Sequence, residues 1–447
     1  MNDISQKLKK TLLGLIRNQD LSECVRAPDK DFARNRKLPY EKMILSLLTM
    51  EGTSLKNELL RQFGYHCDIA SSSAFVQQRE KILPAAMEKL FYSFVAETDV
   101  PLGFKGFRLI AVDGSDIQIP TNLNDADSLI QTCEGRKPYN LLHLNALYDL
   151  QAHTYVDAIV QKKHASSENG ALTNMVDRSE ITGDVILIAD RGYESYNNMA
   201  HIQEKGWKYL IRIKDFQQYN SGILHGFELP NQEEFDIDIN LTVTRKQTNK
   251  IKELLKDKNH YRKIAHSKTF DYLPKTSRKA DPAVMYAIPF RIVRFPVSEN
   301  AYEVVVTNLD KKDFPSELLK QLYAKRWGIE TSFRDLKYTI GLLHFHSKKV
   351  EHILQEIYAR LIMYNFSELI TSHVIIEKKN RKHEYKANFS VAAHICREFL
   401  LGINTPPDIE ALIARYITPI RPGRSRPRDM KIKQAISFLD RIGSSVP

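Results

Sequence analysis

Two carboxylates in the sequence each follow directly on a short apolar run. Asp113 follows residues 107–112, and Asp190 follows residues 185–189. Because sites in open α/β sheets form at the carboxyl ends of strands, both side chains are candidates for binding a ligand. An acidic residue after an apolar strand is also a common solvated loop residue. Neither carboxylate therefore indicates chemistry when it is taken alone.

A third carboxylate belongs to a group of polar side chains with helical spacing. Tyr323, Arg326, Glu330 and Lys337 stand at successive separations of three, four and seven residues. At about 100° per residue, this spacing places them within roughly a 60° stripe of one helix. A carboxylate between two cations and a phenol suits a metal ion held beside a row of phosphates. The alternative is an exposed helix face on which the arginine and the glutamate form an i, i+4 pair.

The elements that must position these residues alternate between strand-like and helical patterns. Residues 185–189 are continuously apolar, which is typical of a strand buried on both faces. The other strand-like segments are 107–112, 141–150, 154–160 and 207–213, and the helical segments between them are 169–180 and 195–205. This order predicts an α/β fold with at least one parallel strand pair. Helical periodicity then returns over 316–376 and carries the polar stripe.

Three motifs occur in a fixed order within these elements: Val-Asp-Gly-Ser at 112–115, Asp-Arg-Gly-Tyr at 190–193, and Y-x2-R-x3-E-x6-K from Tyr323 to Lys337. Together they resemble the catalytic segments of bacterial insertion-sequence DDE transposases of the Y-R-E-K signature group, which are IS-four-like. The resemblance covers roughly residues 72–350, and the signature matches in residue type and spacing. It implies a DNA transposase that cuts the ends of a mobile element by metal-dependent phosphodiester hydrolysis and transfers the 3′-OH into target DNA.

The resemblance also implies an RNase H-like catalytic core, and the pattern along the chain divides it into regions. The expected fold is α/β, an RNase H-like mixed sheet with flanking helices, interrupted by a β-rich insertion, with helical N- and C-terminal regions. The expected regions are 1–100 (helical and DNA-binding), 101–215 (first part of the core), 216–310 (the insertion), 311–376 (second part of the core, with the catalytic helix) and 377–447 (basic and helical).

Carried onto this sequence, the resemblance implies that Asp113, Asp190 and Glu330 are catalytic and bind metal. Hard divalent ions prefer oxygen ligands, which indicates Mg²⁺ with Mn²⁺ as a substitute. Two ions about 3.5–4 Å apart activate the attacking water and neutralise the departing oxygen. The residues expected to bind DNA are Tyr323, Arg326, Lys337, Arg191 and Lys348.

Other residues near these motifs are interpreted as supporting. His344 and His346 have no further ligand at a spacing that suits zinc, and they are expected to line DNA or to cap the catalytic helix. Trp327 and Phe333 lie off the polar stripe and are interpreted as packing residues. His143 could imitate part of a hydrolase triad, but the sequence lacks the G-x-S-x-G elbow, so that interpretation is rejected.

The basic excess is concentrated in the last third of the chain. The net charge is +11, and residues 301–447 hold 24 Lys and Arg against 16 Asp and Glu. This third includes the Arg-Pro segment 421–428. Each basic side chain placed on a phosphate releases condensed counterions, so the segment suits double-stranded DNA, both element ends and target. A solubilising tail is the alternative.

The chain is expected to work in the bacterial cytoplasm, associated with the nucleoid. The N-terminal segment carries no recognisable secretory signal, and charged residues interrupt the apolar stretch 353–376, so no membrane partner is expected. The four cysteines are far apart and suit a reduced compartment. Because two element ends must be held together, a homodimer is expected in the DNA synapse.

Two other functions remain open on the sequence. One is a DNA-binding regulator that derives from a transposase and no longer cuts, although three intact carboxylates argue against it. The other is an RNase H-like nuclease that cuts without strand transfer. Its hydrolytic chemistry would be the same, so the sequence does not separate it from a transposase.

Overall fold

The computed structural model describes residues 4–34, 37–98, 103–131, 137–215, 222–274, 285–298, 301–376, 384–403 and 408–420. The basic segment 421–428 lies outside these residues, so its predicted contact with DNA stays a prediction. The described residues form a mixed α/β fold in which one large sheet is flanked by helices. The predicted fold class is therefore confirmed.

The N-terminal region is helical, as the sequence predicts. Its helices are α1 (Ile4–Arg17), α2 (Leu21–Cys24), α3 (Tyr40–Thr49), α4 (Leu55–Gln62), α5 (Ser72–Arg79) and α6 (Pro84–Glu97). Ser54 and Ser71 cap the N-termini of α4 and α5, because each hydroxyl accepts a hydrogen bond from a backbone N–H of the first turn. The apolar faces of these helices join one core that also includes the later helices.

Within the described residues, ten strands form the large sheet. They are β1 (Phe107–Ile119), β2 (Leu129–Ile130), β3 (Tyr139–Asp149), β4 (Thr154–Lys162), β5 (Asp184–Ala189), β6 (Lys208–Ile213), β7 (Phe235–Thr244), β8 (Tyr261–Lys263), β9 (Met285–Ser298) and β10 (Ala301–Thr307). The strand order is β2-β3-β1-β5-β6-β10-β9-β7-β8, and β4 pairs with β3. Strand β1 is antiparallel to β3 and parallel to β5, which in turn is parallel to β6. The predicted parallel pairing is confirmed.

The strands of the predicted β-rich insertion continue this same sheet. Strand β9 pairs antiparallel with both β10 and β7, and β10 pairs antiparallel with β6. The β-rich segment thus widens the sheet at the side of β6, away from β3 and β4.

Helices cover both faces of the sheet. They are α7 (Glu168–Arg178), α8 (Tyr196–Glu204), α9 (Asn249–Leu254), α10 (Ser316–Lys325), α11 (Trp327–Tyr338), α12 (Val350–Ser372), α13 (Phe389–Leu401) and α14 (Ile409–Ile413). A small sheet of β11 (Tyr385–Ala387) and β12 (Ile417–Pro419) lies beside α13.

The two faces of β1 pack against different helices. Ile110 and Val112 share a core with α7 and α8, whereas Ala111 and Ile117 share a core with α11 and α12. This alternation is what a strand with helices on both sides requires. Helix α12 lies deep in the second core and is buried along most of its length. None of the helices in the described ranges is long and apolar enough to span a membrane.

Candidate active site

Asp113 lies at the point where β1 and β5 separate. The parallel pairing of these strands ends at Ala111 and Ile188, but β1 remains paired with β3 as far as Ile119. The prediction that the strand ends before Asp113 is therefore wrong. The apolar run stops because the strand enters a polar site, while its backbone hydrogen bonds to β3 keep it extended.

Asp190 is the first residue after β5 and faces the same opening. Its Oδ1 accepts a hydrogen bond of 2.8 Å from the backbone N–H of Gly192, which fixes the carboxylate at the start of a 3₁₀ turn. Arg191 is exposed in this turn. We call the opening between Asp113 on β1 and Asp190 after β5 the fork.

The polar stripe lies on two helices rather than the predicted single helix. Tyr323 belongs to α10, Glu330 and Lys337 belong to α11, and Arg326 is the junction between them. Arg326 keeps right-handed helical torsions, φ −51° and ψ −32°, so the helical spacing of the stripe continues across the junction. The side chain of Tyr323 is only 4% exposed and packs in the core with Leu319 and Leu322.

Arg326 joins two of the three carboxylates. Its Nη2 donates a hydrogen bond of 2.6 Å to Glu330 Oε1, and its Nη1 lies 3.8 Å from Asp113 Oδ2. The guanidinium carbon is 5.2 Å from the centre of the Trp327 ring, and the arginine is only 4% exposed. One buried cation thus holds Glu330 beside Asp113.

Lys337 ties α11 to the strand that carries Asp113. Its Nζ donates hydrogen bonds of 2.7 Å to Ser115 Oγ and 2.9 Å to the backbone oxygen of Asp116. Lys348, the remaining predicted DNA contact, is exposed in the segment before α12. The structure therefore gathers Asp113, Glu330, Arg326 and Lys337 around β1, with Asp190 across the fork.

At the fork, the negative charges of the carboxylates outweigh the positive charge of Arg326. Burial, followed by the nearby negative charges of Asp190 and Glu330, raises the pKa of Asp113 to about 6, although Gly114 N–H and Arg326 oppose the shift. A carboxylate in such surroundings gains from a cation that displaces its proton.

The donor chemistry of the fork fits a hard divalent ion, because every nearby acidic ligand is an oxygen donor. Among the described residues, however, no three His, Cys, Asp or Glu side chains are already arranged as a metal site. In this structure Glu330 is hydrogen-bonded to Arg326. A metal ion would therefore have to draw Glu330 towards the two aspartates.

Two residues differ from their interpretation in the sequence. Trp327 is 55% exposed and is not a packing residue, whereas Phe333 is 5% exposed and packs as expected. His346 is buried, and its backbone N–H donates to Glu356, so the expectation that it lines DNA is wrong. Glu168 also reaches the fork, and nothing in the sequence distinguishes it from an ordinary glutamate in the first turn of a helix.

Comparison with known proteins agrees with the motifs. Residues 105–366, more than half of the chain, match the family model of the transposase DDE domain. A similar protein is the transposase InsG for insertion sequence element IS4 from Escherichia coli strain K12. The two chains are 24% identical over 364 residues, which cover 77% of this chain and 72% of the relative.

A solved structure with a similar outline is the piggyBac transposase synaptic complex with hairpin DNA, determined by cryo-EM. The match covers 93% of this chain and 87% of that chain at 10% sequence identity, with a TM-score of 0.45. The family assignment depends on the domain match and on the IS4 relative. The chain belongs to the DDE transposase family, the metal-dependent enzymes of DNA transposition.

Proposed function

We propose that this transposase cuts DNA at the ends of a mobile element and joins the freed 3′-OH to target DNA, with Asp113, Asp190 and Glu330 as its catalytic carboxylates. The observation that carries the assignment is the convergence on Asp113. Arg326 links it to Glu330, and the charges of Asp190 and Glu330 both act on it. The three residues come from a strand, a strand end and a helix that are far apart in the sequence.

We propose that the carboxylates hold two Mg²⁺ ions, with Mn²⁺ as a substitute. When bound, such ions activate the attacking oxygen and neutralise the departing one. Asp113 and Asp190 are held on the two sides of the fork by their backbones. Glu330 is on a helix, and its contact with Arg326 keeps it beside Asp113 before any ion binds.

The DNA backbone is expected to run along α11. Arg326 and Lys337 lie on either side of Glu330, where they would bind phosphates next to the reacting bond. Arg191 and Lys348 are exposed and would add contacts farther out. The ring of Tyr323 lies under Arg326, 5.9 Å from the guanidinium carbon, so we assign it to supporting this arginine.

Trp327 is a further candidate for contact with DNA. It is a large aromatic side chain, 55% exposed, next to Arg326. Exposed aromatic rings beside cations stack on unpaired bases, and transposition opens the duplex where strands are cut and joined. We therefore include Trp327 in the proposed DNA-binding surface, although its sequence position suggests packing.

The assembly and its location follow from the reaction. Two element ends must be brought together before both are joined to a target, so we propose a homodimer in the DNA synapse. The proposed substrate is double-stranded DNA, both element ends and target, so we propose that the enzyme works in the bacterial cytoplasm, associated with the nucleoid.

A cleavage and joining assay tests the proposal. Purified protein is incubated with labelled element-end DNA and a plasmid target in Mg²⁺ or in EDTA, as wild type, as Asp190→Ala and as Asp184→Ala. Asp184 is the exposed first residue of the same strand and serves as the matched control. We expect nicked and joined products in Mg²⁺ only, lost in Asp190→Ala and kept in Asp184→Ala.

Other outcomes point to the other functions. Cutting without joined product would identify a nuclease. DNA binding without cutting, unchanged by Asp190→Ala, would identify a regulator. Products that persist in Asp190→Ala would place the catalytic site elsewhere.

A further inference from the structure

A fourth carboxylate reaches the fork from the side opposite α11. Glu168 is the first residue of α7, which packs on the other face of β1. Its Oε1 lies 3.1 Å from the position that a Cβ would take at Gly114, and its Oε2 lies 3.4 Å from that position at Gly192. The carboxylate therefore fills the space beside the glycine that follows Asp113 and beside the glycine of the turn after Asp190.

Glu168 is close to Asp190 in particular. Asp190 Oδ1 lies 3.0 Å from the same Cβ position at Gly192. The two carboxylate oxygens are thus no farther apart than the sum of these distances, 6.4 Å. Glycine leaves open the space between them, in which an ion or one of its water ligands can lie.

A buried histidine lies against Glu168. His143, 4% exposed on β3, has its Nε2 3.2 Å from Glu168 Oε1. Its Nδ1 lies 2.8 Å from Asp116 Oδ1, which also accepts a hydrogen bond of 2.8 Å from Lys163 Nζ. The imidazole thus lies between the two carboxylates, and the antiparallel register of β1 and β3 sets Asp116 directly opposite it. Histidines held in this way fix the orientation of the groups they contact.

An independent feature marks the same space as a binding site. The hydroxyl of Tyr193 is buried, with its residue only 1% exposed, and it has no hydrogen-bond partner in the described part of the chain. The charges of Asp113, Glu168 and Asp190 all act on this hydroxyl. A buried hydroxyl without a hydrogen-bond partner is unfavourable, so a donor left among three carboxylates points to a water or ligand that completes the group.

We propose that Glu168 is a fourth ligand of the catalytic metal ions, on the side of Asp190, and that His143 is its positioning residue. This inference rests on the proposed function of Asp113, Asp190 and Glu330. Two divalent ions carry four positive charges, of which three carboxylates neutralise three. A fourth carboxylate neutralises the remaining charge. The side chain of Glu168 is 43% exposed, so an ion can reach its oxygens from solvent.

The test is metal binding by the whole chain without DNA. Mn²⁺ affinity is measured from the free-ion signal in electron paramagnetic resonance for wild type, Glu168→Gln, Asp190→Ala and Glu351→Gln. Glu351, like Glu168, lies in the first turn of a helix, but it is exposed and pairs with Arg26, so it is the matched control. We expect Glu168→Gln to weaken Mn²⁺ binding about tenfold, within the range seen for groups around metal sites, and Glu351→Gln to leave it unchanged.

The Mg²⁺ dependence of cleavage gives a second measurement. In Glu168→Gln the half-saturating Mg²⁺ concentration should rise about tenfold, with a smaller fall in the maximal rate. A rate that falls equally at all Mg²⁺ concentrations, with unchanged Mn²⁺ affinity, would overturn the inference and leave Glu168 a structural residue.

The asparagine variant His143→Asn gives a graded version of the same test. We expect a smaller loss of Mn²⁺ affinity than in Glu168→Gln, because the ligand stays and only its support is lost. If Glu168→Gln binds Mn²⁺ normally while Asp190→Ala does not, the fourth ligand is excluded and the proposed triad stands. If Asp190→Ala also binds Mn²⁺ and cuts DNA, the proposed function fails first.

Discussion

Two buried groups of charged side chains in this molecule use the same residue types in opposite ways. At the fork, Arg326 bridges Glu330 and Asp113, and the pKa of Asp113 rises to about 6 through burial. Between α5 and α12, Arg79 Nη1 donates a hydrogen bond of 2.8 Å to Glu356. Burial opposes ionisation of Glu356 as well, yet Arg79 and His346 hold its pKa far below the usual range. We call this second group the α5–α12 network.

The difference lies in how completely the polar atoms are satisfied. In the α5–α12 network, Arg79 Nε also donates to Gln355, and both oxygens of Glu356 accept from the backbone of His346. At the fork, the negative charges of Asp190 and Glu330 act on Asp113, and the buried hydroxyl of Tyr193 has no hydrogen-bond partner among the described residues. A complete network fixes the N-terminal helices on α12, whereas an incomplete one leaves capacity for ions and DNA.

A glutamate-to-glutamine substitution should have different effects in the two groups. The largest effect is expected on catalysis at the fork. Glu330→Gln is expected to slow cleavage by at least 10³-fold, on the order of 4 kcal/mol of activation free energy. The glutamine oxygen can still accept from Arg326, and the side chain is partly exposed, so the free energy of unfolding should change by less than about 1 kcal/mol. Single-turnover nicking and urea denaturation measure the two effects. Normal cleavage would remove Glu330 from the active site.

In the α5–α12 network the glutamine substitution should act on stability. Glu356→Gln leaves Arg79 buried without its counter-charge, which typically costs about 3–5 kcal/mol of unfolding free energy. The control is Glu351→Gln one turn earlier on α12, where an exposed pair with Arg26 is expected to contribute less than about 1 kcal/mol. Urea denaturation compares the two variants. Equal losses would mean that the buried pair contributes no more than a surface pair.

The buried carboxylate of Asp113 should lower the free energy of unfolding at high pH. Because the folded-state pKa of Asp113 is raised from 3.8 to about 6, ionised Asp113 destabilises the fold above pH 6. The stability that protonated Asp113 contributes is fully present only below the pKa of the unfolded state. This contribution is lost as the pH rises through the pKa of the folded state. Asp113→Asn should therefore stabilise the metal-free protein by about 1–3 kcal/mol at pH 8, and this gain should shrink to well under about 1 kcal/mol near pH 4.

Denaturation of wild type and Asp113→Asn in EDTA at pH 8 and pH 4 measures this difference. A gain that does not depend on pH would show that the substitution changes packing rather than charge. A loss of stability at pH 8 would mean that attraction to Arg326 exceeds the cost of burial, and the fork would then resemble the α5–α12 network.

Much of the fold could be predicted from the sequence because buried apolar runs keep their period. The prediction for 185–189 falls on β5, Asp184–Ala189, and that for the helical segment 195–205 falls on α8, Tyr196–Glu204. The end of β1 was missed for a physical reason: its polar residues face the site, so the apolar pattern stops while the strand continues. The break at Arg326 was missed because the helical spacing continues across it.

Part of the candidate site could likewise be predicted from the sequence, and part could not. The motifs that contain Asp113, Asp190 and Glu330 are short segments of sequence. Strand and helix periodicity within each segment indicates where its carboxylate lies on that element. His143 and Glu168 meet the fork only through the register of β1 with β3 and the packing of α7. No spacing within the sequence encodes such contacts. The exposure of Trp327 likewise depends on what packs beside α11.

The smallest expected effect concerns a lysine that is bonded in the free protein. Lys337 Nζ already donates to Ser115 Oγ and to the backbone of Asp116, so Lys337→Ala tests whether it also binds DNA. One lost phosphate contact should lower the slope of log affinity against log salt by about 0.9. The control is Lys205→Ala, whose Nζ likewise donates to backbone oxygens, those of Asp177 and Ser179. If Lys337→Ala leaves the slope as unchanged as the control, Lys337 secures α11 on β1 and belongs with the structural cations such as Arg79.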